Sequence, residues 1–61
     1  MSQAEAIQLF EDYKAGAAAR REEVPWTSCP YRPVGETRAN VRRMYWLNGW
    51  YQTDIGIRLR E

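Results

Sequence analysis

The residues of this chain with the clearest chemical capacity are its arginines, most of them in the second half. Arg38 and Arg42 are four apart, Arg43 follows directly, and Tyr45 continues the row; on a helix, Arg38 and Arg42 share a face. A planar guanidinium can grip two phosphate oxygens, and an aromatic ring beside it can stack on an unpaired base. Arg20, Arg21 and Arg32 would extend such a surface. The same spacing also describes a solvated helix face that pairs weakly with Glu36 or with the acids of the first half, and the residues alone leave both readings open.

The second candidate is the stretch "SCPYRP", Ser28–Pro33, which holds the only cysteine. Activating a thiol takes a neighbouring base or a strong positive field, and the chain has no histidine. Cys29 therefore reads as a structural thiol that packs as a small hydrophobe. Pro30 and Pro33 stiffen the backbone on either side, and Tyr31 can bury its ring while its hydroxyl finds a partner. One cysteine and no histidine remove the usual zinc ligand sets and any internal disulfide. No phosphate-cradling glycine loop and no paired carboxylates are present. The expectation is no catalytic residue, no metal and no cofactor.

Charge is unevenly spread. Residues 1–36 carry four cations and six anions, whereas residues 37–61 carry five cations and two anions, within a net charge of +1. A basic second half points to an anionic partner. With 61 residues, 44% hydrophobic and 13% aromatic, the chain can form one small domain that buries roughly 60% of its unfolded surface. Its three Trp, four Tyr and one Phe make a compact fold credible without a metal, although dimerisation would help. There is no apolar run of membrane-spanning length and no secretory pattern at the start, so a cytoplasmic protein is expected, in keeping with the free thiol.

The elements that must position these residues are two helices. Ser2 and Glu5 have capping-box spacing, which predicts a helix over about 3–21. Its apolar face would be Ala6, Leu9, Phe10, Tyr13, Gly16 and Ala17, with Gln8, Glu11, Asp12, Ala15 and Ala19 opposite. Arg20 and Arg21 would suit the C-terminal dipole. A loop over 22–35 follows, and Val24, Trp26, Cys29 and Tyr31 predict that it is ordered and packed. The second helix is predicted over about 36–55, with Thr37 as a candidate N-cap, Gly56 as a stop, and 57–61 as a tail or a last turn.

This second helix has two apolar sides. Val41, Met44, Asn48, Tyr51 and Ile55 share one, with Leu47 at its edge; Trp46 and Trp50 form the other. Gly49 marks a close approach by another backbone. The two tryptophans read as core or as stacking platforms for bases. Helix 1 and the loop are available as covers for the two sides, giving an all-α, two-helix antiparallel hairpin with an ordered Pro/aromatic-rich loop; a homodimer through the tryptophan face is the competing solution.

"YKAG" at Tyr13–Gly16, "CPY" at Cys29–Tyr31 and "WLNGW" at Trp46–Trp50, in that order, resemble the ribosome modulation factor family of very small bacterial proteins. The resemblance spans most of the chain, from Tyr13 to Tyr51. It implies a two-helix protein that binds the small ribosomal subunit near the end of its RNA, obstructs initiation and favours inactive ribosome dimers. The intervals between the three motifs are longer here than in the family, and the best-known hibernation member is far more basic. Two other readings stand beside it: a small module that binds an acidic protein surface or itself, and a small-molecule-modifying enzyme.

Overall fold

The computed structural model describes residues 2–31 and 37–60. They form helix α1 (Gln3–Arg21), a short 3-10 turn (Trp26–Ser28) and helix α2 (Thr37–Arg60), with no strand among them. The fold is all-α, two helices packed side by side, and the connection is ordered over residues 22–31; the rest of the expected loop, 32–35, lies outside the described residues.

Helix α1 starts as its sequence dictates. Ser2 is extended, and its Oγ accepts a hydrogen bond from the Glu5 N–H at 3.2 Å, satisfying one of the free donors of the first turn. The Glu5 carboxylate lies 3.6 Å from Arg38 Nη2. At the other end, Glu23 takes a left-handed φ of 62°. The Val24 N–H then donates to the Ala19 carbonyl at 2.9 Å and the Glu23 N–H to that of Arg20 at 3.1 Å. That pair of bonds is a Schellman ending, usually built on glycine.

The two helices run in the same direction. Glu5 meets Arg38, Asp12 meets Arg42, Gly16 meets Trp46 and Trp50, and Arg20 meets Asp54. Positions rise together along both helices, which an antiparallel pair cannot do. The expected antiparallel arrangement is therefore corrected to a parallel one. Residues 22–36 make it possible: the return along α1 from Arg21 to the level of Glu5 is about 24 Å, well within the reach of about 50 Å for fifteen extended residues.

The helices touch through their glycines. A methyl group on Gly16 would overlap the Trp46 carbonyl, and one on Gly49 would overlap the Tyr13 carbonyl. The contact is reciprocal, backbone against backbone, with buried Leu9, Ala17, Trp46 and Trp50 around it. The observed inner face of α1 is turned from the expected one toward Asp12: Phe10 is 59% exposed, whereas Asp12 is only 3% exposed. On α2, the Trp46 side faces α1. The expected apolar side at Met44, Tyr51 and Ile55 is exposed.

Gly56 does not end α2, which continues to Arg60; Gly56 has open space around it, so nothing forces a turn there. Thr37 is the first helical residue of α2. No helix among the described residues is long and apolar enough to cross a membrane.

Candidate nucleic-acid interface

The arginines expected to hold phosphate divide into those bound to buried carboxylates and those that are not. Asp12 projects from the inner face of α1 into the angle between α2 and the connection. Arg42, from α2, donates from Nε to Oδ2 at 2.9 Å and from Nη2 to Oδ1 at 3.1 Å, a two-pronged grip. The Tyr31 hydroxyl donates to Asp12 Oδ1 at 2.8 Å, and Arg42 Nη2 donates to the Tyr31 oxygen at 2.7 Å. The guanidinium also lies 4.5 Å from the Tyr31 ring centroid. This cluster ties the return segment to both helices.

Its electrostatics follow from that geometry. Burial pushes the Asp12 carboxyl up, but the hydrogen bonds from Arg42 and Tyr31 outweigh it and hold Asp12 below the ordinary carboxylate value. Burial, then the bond to Asp12, raises the Tyr31 phenol. The bond to Asp12 raises Arg42 further above its already high value.

A second cluster stands near the C-terminal ends of the helices. Asp54 accepts from Arg20 Nε at 2.7 Å and pairs with Arg58 Nε at 2.9 Å. Hydrogen bonds from Arg20 first, against a smaller desolvation effect, and then from Arg58, hold Asp54 below the usual range. The Arg20 guanidinium lies 5.7 Å from the Trp50 ring. Trp50 in turn donates from Nε1 to the Val24 carbonyl at 2.7 Å, fixing the start of the connection.

The sequence-derived candidates are thus distributed as follows. Arg42 and Arg20 are committed to Asp12 and Asp54, so they hold the fold together instead of presenting free charge. Arg38 is 74% exposed along its side chain, with only the loose Glu5 contact. Arg21 is exposed and Arg43 half-buried, and neither has an ion pair among the described residues. Tyr45 is partly exposed beside Phe10 and Tyr13, away from the groove that Arg38 lines. Arg32 lies outside the described residues. Trp46 and Trp50 are core, not open stacking platforms, and that also removes the tryptophan face as a dimer contact. Leu47 and Cys29 are half-buried, Cys29 as a free thiol, and Pro30 is exposed beside it.

Parallel packing adds two residues that sequence reasoning passed over. Arg58 and Arg60 join Arg20 and Arg21 at one end of the molecule, where four guanidinium groups face the negative ends of two aligned helix dipoles. Arg38 and Arg43 stand nearer the opposite end, Arg38 about 30 Å from Arg58 along α2. The signal was present: Arg58 is four residues after Asp54, the spacing of a helical ion pair. Placing the end of α2 beside the start of α1 hides its meaning.

Among the described residues no group of three or more His, Cys, Asp or Glu is arranged to hold a metal ion. An open groove runs between the first turns of the two helices, with Leu9 and Val41 beneath and Glu5, Arg38 and Arg42 along it. No known family, curated protein or solved structure matches the chain.

Proposed function

We propose that the chain is a ribosome modulation factor-like regulator of the cytoplasm: it binds the small ribosomal subunit through its RNA and inhibits translation or promotes hibernation by occupancy. One observation carries the reading. The residues of the three resembling motifs, Gly16, Tyr31, Trp46, Gly49 and Trp50, are those that join the helices to each other and to the connection. The likeness therefore lies in fold-determining positions, and it leaves Arg21, Arg38 and Arg60 exposed to meet phosphates, with Arg43 half-buried. Occupancy needs no catalytic group.

Sucrose-gradient sedimentation of tagged protein from starved cells at low salt tests this directly. Co-sedimentation with the small subunit is expected, weakened by Arg38→Glu with Arg43→Glu. Protein that stays in the soluble fractions sinks the proposal. Contacts to about four phosphates give a log–log salt slope near −3.

A second reading, a module that binds an acidic protein surface, draws on the commitment of Arg20 and Arg42 to internal carboxylates, which lowers the free positive charge. Co-purification with a protein that survives nuclease treatment separates it from the first.

A further inference from the structure

Helix α2 has two apolar sides, and the described residues cover one. Both α1 and the start of the connection at Val24 lie on the Trp46–Trp50 side. The other side carries Val41, Met44, Asn48, Tyr51 and Ile55, with Met44 65% and Ile55 50% exposed. Their spacing is three, four, three, four, the alternation of a coiled-coil seam, with Val41, Asn48 and Ile55 at one set of core positions and Met44 and Tyr51 at the other. Exposed Phe10 and Tyr45 widen the patch at its α1 side.

We propose that this stripe is the seam of a homodimer in which α2 packs along α2 of a second copy, with Asn48 facing Asn48 across the two-fold axis. Three observations select a second copy as the occupant. The first is area. The chain exposes 4660 Å², against about 4,100 Å² for a compact monomer of 7.2 kDa. That excess of about 500 Å² is spread over the whole molecule, and the open side of α2 with exposed Met44, Tyr51 and Ile55 is part of it; a stable interface takes roughly 800 Å² from each partner.

The second observation is charge. No Asp, Glu, Lys or Arg occurs from Met44 to Thr53. A two-fold axis sets the same patch against itself, so a stripe of one sign would repel its own copy and a neutral one does not. The third is Asn48. Its amide has both a donor and an acceptor group, so two copies satisfy each other across an axis, whereas an apolar partner would leave the amide unpaired. A single central asparagine in an apolar seam is also the feature that selects a register.

The dimer does not rest on the ribosome reading, and either can fail alone. Sedimentation equilibrium of the nuclease-treated full chain, up to about 1 mM, the limit of weak specific association, is expected to give twice the 7.2 kDa chain mass. The double variant Met44→Glu with Ile55→Glu is expected to sediment at the monomer mass. Its helicity should be retained, because both positions are exposed. In a Cys29→Ser background, Asn48→Cys should cross-link on oxidation, while Ala18→Cys, on the exposed side of α1, should not. A wild-type monomer at the highest concentration overturns the proposal. So does a dimer that survives the double glutamate variant, or cross-linking at residue 18 as efficient as at residue 48.

Discussion

Replacing Gly16 by alanine tests the central contact of the fold. In an exposed helix the change would stabilise by about 1 kcal/mol, because alanine loses less backbone entropy. Here the added methyl meets main chain: it overlaps the Trp46 carbonyl oxygen, stands 2.7 Å from the carbonyl carbon and 3.1 Å from Trp50 N. Ordinary carbon contacts lie at about 3.5–4.0 Å, and a carbonyl in the middle of a helix cannot swing aside as a side chain can. The helices must separate by about 1 Å, a gap that forfeits a quarter to a half of the contact energy between the facing surfaces.

Overpacking of this kind costs about 1–3 kcal/mol, occasionally more, and the absence of any side-chain escape puts Gly16→Ala at the upper end. For a chain of 61 residues with a total stability of about 3–9 kcal/mol, that is a large share. Gly49→Ala should cost about the same, since its methyl overlaps the Tyr13 carbonyl and approaches Ala17 N at 3.2 Å. The double variant should cost less than the sum, because one separation accommodates both methyls. Gly56→Ala is the internal control: nothing lies within 4 Å, so it should stabilise by about 0.5–1 kcal/mol. Urea titration followed by tryptophan fluorescence reads all four proteins. If Gly16→Ala and Gly56→Ala shift the midpoint in the same direction, the close crossing is wrong.

Asp12→Asn leaves Arg42, a side chain 32% exposed, without its charge partner and should cost about 1–3 kcal/mol by the same titration. With the Asp12 pKa below its unfolded value, its contribution is full above the unfolded pKa and disappears as pH falls through the folded one. Acid unfolding should therefore steepen below about pH 4 and flatten in the variant, as followed by circular dichroism. Tyr31 is shifted the other way, so stability should also decline as pH rises past about 10; Tyr31→Phe should abolish that alkaline limb. Glu23→Gly relieves a left-handed residue and should raise the thermal midpoint, by about 1 kcal/mol in stability. Trp50→Phe removes the donor to the Val24 carbonyl and should accelerate amide exchange in the 22–31 segment before it affects the helix centres.

The start of α1, its end near Arg21, the ordered first part of the connection and the close approach at Gly49 were legible because each is a local signal: a capping hydroxyl, a proline after the helix, apolar residues in a loop, a glycine in a helix. The buried state of Asp12 was not legible. A carboxylate reads as solvent-facing unless its partners are known, and those partners, Tyr31 and Arg42, lie 19 and 30 residues further along. Helix direction was equally hidden. Periodicity tells which residues share a face and is unchanged when a helix is reversed. The sides of α2 were thus found correctly, while the assignment of covers to them was not. For the arginines, composition counts charges, but only the fold shows that Arg20 and Arg42 are already neutralised.

The parallel direction of the helices also shapes how the chain reaches its native state. In an antiparallel hairpin the first contacts form beside the turn and the rest zip up from there. Here the contacts that join α1 to α2 at Asp12, Gly16, Arg20 and Gly49 link residues 30–36 positions apart, so forming any of them requires closing a loop of that size. The closure entropy is about 3 kcal/mol beyond its constant part. Despite its helical content, the chain should therefore fold more slowly than a helical hairpin of equal length. The return segment anchored by Val24 and Tyr31 is the natural aid: each bond it makes to a helix shortens the loop that remains to be closed.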